Sequence, residues 1–198
     1  MPKVIRSYVR YVEGVNWFVG RIAMYLLFVM MAILLWSSIS KTFFNPTLWT
    51  LEMAQFAMVS YYLLGGPYSL QLGSNVRMDL FYGSWSDRTK AAVDAFTVLF
   101  LIFYLCVLFY GAVGSSAYSL GYYGAEPFTF FGDLIGTLFT EGYDAAEKAI
   151  KRVERSSTAW RPVMWPIKAV MCLAVFLMLL QATAILFKDI AKLRGEEL

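Results

Sequence analysis

The sequence predicts an all-α integral membrane protein with four transmembrane helices, short interfacial amphipathic helices and both termini in the cytoplasm. Three observations carry that prediction. Hydrophobic residues make up 59% of the chain and charged residues 16%, against about 25% charged in soluble domains. Four long apolar runs each approach the ~20 residues that cross a bilayer. Lys and Arg favour the segments that an even number of spans puts on one side. A soluble domain of this size leaves roughly 30% of its chain surface in water, and this chain has too little polar surface to cover it. A bilayer lets the apolar excess face lipid instead.

The spans follow in chain order as one membrane domain over residues 1–198. The first is expected over about 17–39. Ile22 to Ile39 holds no charge, Trp17 and Trp36 lie near its ends, and Arg21 sits where its stem can snorkel to headgroups. The run is longer than the apolar region of a signal peptide, and bulky Phe43 follows rather than a small-residue cleavage site. It is therefore expected to remain as a span. The second, about 51–72, begins with Glu52 and carries Gly65-Gly66-Pro67 in its second half. Pro67 removes a backbone donor and is expected to kink the helix; the glycines permit close approach of a neighbour. The third covers about 91–118, with Asp94 near its start. The fourth covers about 166–187, charge-free from Ala169 to Phe187 between Lys168 and Lys188.

Charge sets the orientation. Lys3, Arg6, Arg10, Arg21, Arg77, Arg88, Lys90, Lys188, Lys192 and Arg194 fall on one side, which the positive-inside rule makes cytoplasmic. The opposite side holds Lys41 and the longer loop of about 121–161, which carries Lys148, Lys151, Arg152, Arg155 and Arg161 with Lys168 beyond, so the bias is modest. Two segments are amphipathic without the length to span. Ile5, Tyr8, Val9 and Val12 form an apolar stripe near the start, which predicts a short helix on the membrane face. In the outer loop Tyr143, Ala146, Ile150 and Val153 predict a helix over about 141–155, supported by the i,i+4 pair Glu147–Lys151. Solvated helices are the plainer reading of both.

The composition also excludes chemistry. There is no histidine, so paired-His haem, His-containing zinc sites and histidine-based triads cannot be built from this chain. Cys106 and Cys172 lie apart inside apolar runs, with no base to make a thiolate. No phosphate loop, metal-ligand cluster or nucleophile–base pair is present. No catalytic residue, cofactor or nucleic-acid contact is expected.

Four places stand out as partner or interface candidates. Arg77 and Asp79 follow the second span; they share a side if extended, diverge if helical, and also fit a plain interfacial turn. Glu52 and Asp94 are the acids nearest the hydrocarbon, at opposite ends of their spans, where they suit an interfacial or partner-facing role better than a proton path. Trp160, Pro162, Trp165, Pro166 and Lys168 make an aromatic, proline-led entry to the fourth span. Gln181, with Thr183, is polar within the apolar run and suits interhelical hydrogen bonding.

In this order, over about residues 15–190, these features resemble the small membrane (Q, DctQ-type) subunit of tripartite ATP-independent periplasmic (TRAP) transporters. Four spans, the Asn75-Val76-Arg77-Met78-Asp79-Leu80 stretch and the Trp/Pro/Lys entry with Gln181 beyond it carry the resemblance. Asn75 stands where the family often has histidine, which rules out an imidazole role there. The long outer loop resembles the expanded form found in some branches. The resemblance implies a non-catalytic scaffold in the bacterial inner membrane. Its partners would be a large multi-span TRAP subunit, a periplasmic substrate-binding protein and membrane lipid. The large subunit would carry organic anions, carboxylates or sugar acids, down a sodium gradient. Arg77 and Asp79 would then meet the large subunit or lipid headgroups. A self-sufficient four-span oligomer acting as transporter or channel is the alternative.

Overall fold

Backbone groups in an apolar medium must satisfy each other, and the chain does so within helices. A computed structural model describes residues 3–73, 85–150 and 152–195. Six helices form among them: α1 Lys3–Phe43, α2 Thr50–Leu72, α3 Asp87–Ser119, α4 Pro127–Thr140, α5 Tyr143–Ala149 and α6 Trp165–Arg194. Strand pairing among these residues is limited to one isolated antiparallel bridge, Arg155 with Val163. The all-helical expectation holds. Three of these helices (α1, α3 over Thr89–Ser119, and α6) are long and apolar enough to cross a membrane. The fourth, α2, has 23 residues, about 34 Å at 1.5 Å per residue. Glu52, Gln55, Ser60, Ser69 and Gln71 dilute its apolar character, and it falls outside that set. It stays helical through Pro67.

Two expectations about short helices are corrected. The N-terminal amphipathic stripe is no separate element: α1 runs unbroken for 41 residues, because no proline interrupts the chain between Lys3 and Phe43. Its stripe packs on protein. Val9 and Val12 are buried against Ala184 of α6, with Ile5, Tyr8, Leu180 and Phe187 around them. In the outer loop the helix over about 141–155 shrinks to Tyr143–Ala149. Ile150 turns extended, and backbone partners beyond it replace helical ones. The loop's longest helix is instead α4, which opens on Pro127, where a missing N–H costs nothing.

The chain resolves into two compact units. One comprises Met1–Tyr25, Tyr62–Leu108 and Ala174–Leu198; the other comprises Leu26–Tyr61 and Phe109–Leu173. In the first unit α1 and α6 cross. Tyr8 meets Leu180 and Thr183, Val9 and Val12 pack with Ala184, Glu13 pairs with Lys188 and Asn16 bonds Gln181, without the steady offset of helices lying side by side. Gly20 makes a close helix contact there against the base of a side chain: a Cβ on it would lie 2.5 Å from Cβ and Cγ of Tyr68 on α2. The glycine pair of α2 is less constrained. Gly66 faces only the flexible end of Met178, and Gly65 has nothing within 4 Å. In the second unit the turn between α1 and α2 is tied by hydroxyls. Ser40 Oγ donates to the Asn45 carbonyl at 2.8 Å, and Thr50 Oγ1 donates to Ser37 Oγ at 3.1 Å.

Candidate functional site

The entry to α6 is built on the end of α3. Ser119 closes that helix, and its carbonyl accepts the Glu154 N–H at 2.9 Å. Glu154 in turn accepts the Met164 N–H at 3.0 Å, and Pro162 accepts the Ser156 N–H at 2.9 Å. Residues 154–164 therefore fold back on themselves around the Arg155–Val163 bridge. Gly121, at φ +86, lets the chain pass under Arg152; a Cβ there would lie 2.7 Å from the Arg152 amide nitrogen. The tip of the fold carries Trp160, 40% exposed, and Arg161, held at φ +50. Pro162 is buried beneath them.

Lys168 locks this arrangement from the first turn of α6. Its ammonium pairs with the Glu154 carboxylate and lies 5.4 Å from the centre of the Tyr118 ring. Its carbonyl accepts the Ser116 hydroxyl at 3.3 Å. With Glu154 satisfied by Lys168, three guanidinium groups remain to set the local charge. Arg152, Arg155 and Arg161 line a cavity of about 530 Å³ with Tyr118 and Tyr123. Such a surface favours anionic groups. Trp165, 47% exposed, and Pro166, also exposed, open α6.

Several polar groups inside the other unit make helix contacts. Asn16 Nδ2 donates to Gln181 Oε1 at 2.6 Å, both residues fully buried. Tyr8 shares a 2.6 Å hydrogen bond with Thr183 Oγ1 and packs edge-on against Phe187. Glu13 pairs with Lys188. Nothing in this set is arranged as a nucleophile with a base; it joins α1 to α6.

The chain matches the family model for tripartite ATP-independent periplasmic transporters, DctQ component, over residues 30–192. It belongs to that family. The match runs from within α1 to within α6 and takes in the whole outer loop. No curated protein and no solved structure matches it. As a DctQ component it is a multi-pass membrane protein and a part of a TRAP transporter.

The sequence-predicted residues of this DctQ chain divide into four groups. Trp160 and Pro162 lie on the folded-back segment and Trp165, Pro166 and Lys168 in the first turn of α6, with the two tryptophans exposed and Lys168 paired with Glu154. Gln181 is engaged within the chain by Asn16. Glu52 stands apart in the first turn of α2. It is buried at 5% exposure, and its Oε2 finds no partner among the described residues. Asp94 is half-buried on α3, its carbonyl accepting Thr97 Oγ1 at 3.0 Å. Arg77 and Asp79 lie outside the described residues. Sequence reasoning passed over Asn16, Glu13 and Glu154. A signal existed for Asn16, an amide between Val15 and Trp17 near an apolar run that contains one matching amide on α6. Glu154 had none, since its role is created by a tertiary backbone contact.

Proposed function

We propose that this chain is the non-catalytic small subunit of a sodium-driven, binding-protein-dependent secondary transporter. That transporter imports organic anions, carboxylates or sugar acids, and the chain scaffolds the large transport subunit. It spans the bacterial inner membrane four times, α2 included, with both termini in the cytoplasm. Family membership over residues 30–192 is the observation that carries this reading. Exposure supports it. Only 6% of the apolar window of α3 and 11% of that of α1 is buried within the chain, against 33% for α6. Two helices thus offer most of their apolar surface to something else, as a subunit packed against a larger membrane partner and lipid requires.

The tagged chain, extracted from its native membrane in mild detergent, is expected to bring down a large multi-span polypeptide in near-stoichiometric amount. Recovery of this chain alone as a homo-oligomer would replace the scaffold reading with that of a self-sufficient transporter or channel.

The arginine-lined loop suits the docking of an acidic face of the periplasmic substrate-binding protein. Reversing Arg152 and Arg155 to Glu is expected to lower uptake at least about three-fold at low ionic strength. The deficit should shrink as salt rises, because exposed charges steer encounter and are screened. Unchanged uptake at low salt would remove the loop from the docking surface. Both side chains are exposed, so the variant should still assemble.

A further inference from the structure

α4 carries one charge in 14 residues, Asp133. At 1.5 Å per residue it is about 21 Å long, short of the ~30 Å hydrocarbon core, so it cannot cross a bilayer. Its faces divide cleanly. Thr129, Asp133, Gly136 and Thr140 fall on one side of the helix, and Phe128, Phe131, Ile135, Leu138 and Phe139 on the other. The threonine hydroxyls are satisfied along the helix itself. Thr129 Oγ1 donates to the Glu126 carbonyl at 2.7 Å, Thr137 Oγ1 to Asp133 at 2.7 Å and Thr140 Oγ1 to Gly136 at 2.8 Å. A helix at the edge of an apolar medium needs its polar groups met in this way. On the apolar side Phe128, Ile135, Leu138 and Phe139 are 45–83% exposed.

The contacts of α4 fix the level of that uncovered face. The Ser116 hydroxyl of α3 meets the Lys168 carbonyl, and Lys168 directly precedes the charge-free run Ala169–Phe187. Ser116 therefore stands at the polar edge of the hydrocarbon. Phe128 packs against Phe109 and Tyr110 of α3, with ring centres 6.1 and 6.0 Å away. Those two residues precede Ser116 by seven and six positions, about 9–10 Å farther into the span. The entry to α4 is pinned nearby. The Tyr110 hydroxyl donates to the Ala125 carbonyl at 3.3 Å, and a Cβ on Gly114 would lie 3.9 Å from Pro127 Cγ. The first turn of α4 thus dips below the polar edge, to the depth of about 5–10 Å at which interfacial helices bury their apolar faces. Tyr110 is itself 54% exposed, so the uncovered face of α4 continues the surface that α3 offers to the bilayer.

We infer that α4 is an interfacial anchor. Its apolar face inserts among the acyl chains of the leaflet beside the outer loop, and it holds that loop, with the arginine-lined cavity, at the membrane surface. The occupant of the face is lipid. α4 has no Lys or Arg, so acyl contact rather than headgroup charge drives insertion. Insertion follows from the level of Ser116 and Lys168 and holds in either leaflet; that the leaflet is the periplasmic one rests on the orientation proposed above.

A spin-label scan along α4 tests the anchor. The full-length chain, with whatever polypeptides accompany it, is reconstituted in phosphatidylcholine vesicles after Cys106→Ala and Cys172→Ala remove the native thiols. Labels are attached in turn through Asp133→Cys, Ile135→Cys, Gly136→Cys, Leu138→Cys, Phe139→Cys and Thr140→Cys. All six positions are exposed, so folding should survive each change. Oxygen dissolves in acyl chains and a nickel chelate stays in water. Collisions with oxygen should exceed those with the chelate several-fold at 135, 138 and 139, and the order should reverse at 133, 136 and 140. Phosphatidylglycerol-rich vesicles and raised salt should leave the profile unchanged. Frequent collision with the chelate at all six positions places α4 in water and overturns the anchor. Few collisions with either reagent at 135, 138 and 139 give the face to protein and overturn it as a lipid site. An oxygen signal that needs anionic lipid overturns the acyl-driven mechanism. Ser157→Cys, exposed on the same loop, reports the side separately and should react with an impermeant maleimide in spheroplasts. Absence of that reaction would overturn the orientation, while the scan still decides the anchor.

Discussion

Gly20→Leu is expected to be the most damaging single change in the first unit, at about 3 kcal/mol. A Cβ at this position meets the Cβ and Cγ of Tyr68 at 2.5 Å. That contact is at the root of the ring, where rotation gives no relief. The helices must separate or Tyr68 must leave its position. The expected readout is a lowered midpoint in thermal or denaturing-detergent unfolding of the purified protein. Gly66→Ala serves as the contrast. Its Cβ meets the mobile methyl of Met178, which can swing aside, so the change should cost well under 1 kcal/mol. Tyr68→Ala placed in the Gly20→Leu background should recover much of the loss by removing the obstacle. A Gly20→Leu protein that unfolds at the wild-type midpoint would show that α1 and α2 do not approach this closely.

The second large effect is expected at the buried amide pair. Gln181→Leu leaves the Asn16 amide without its partner in a dry helix contact. The cost should be about 1.5 kcal/mol, within the range for a lost buried partner and near the upper end for membrane proteins. Adding Asn16→Leu should bring stability back close to wild type, because both polar groups then vanish together. The geometry sharpens the expectation. Asn16 Oδ1 and Gln181 Nε2 are already buried without partners among the described residues, so the double change removes two unmet groups along with one hydrogen bond. Unfolding in denaturing detergent of the two single variants and the double completes the cycle. Additive losses in the double variant would mean the amides act separately.

Much of the helical architecture was legible because an apolar run is a one-dimensional signal. Ile22–Ile39, the stretch after Ala91 and Ala169–Phe187 all lie inside helices that extend past them. What those runs cannot encode is which face meets protein. Tyr8, Val9 and Val12 have the pattern of a helix resting on lipid, and the same pattern serves a helix resting on α6. The outer loop was harder still. Its fold depends on backbone hydrogen bonds donated by Glu154 to Ser119, by Met164 to Glu154 and by Ser156 to Pro162, and backbone groups carry no residue signature. The proline at the head of α4 was a visible start signal, obscured by the charged stripe that follows it. Of the candidate site, the stretch from Trp160 to Lys168 stood out as an aromatic, proline-led helix entry, and α6 begins within it at Trp165. The inward turn of Lys168 depended on a carboxylate fourteen residues earlier, which no local pattern announces.

The hydroxyl-tied turn between α1 and α2 bears on how the chain enters the membrane during synthesis. Only residues 44–49 separate the two helices, and Ser37 and Ser40 fasten them at that end. With Glu52, Gln55 and Pro67, α2 has a weak claim on the bilayer by itself, since polar residues raise the free energy of insertion. On the four-span reading it need not insert alone. A short, fastened connection lets it follow α1 from the translocon as the second arm of a hairpin, with its polar groups shielded by a helix already in place. Lengthening that connection would then unsettle the topology of α2 before it touched the folded protein.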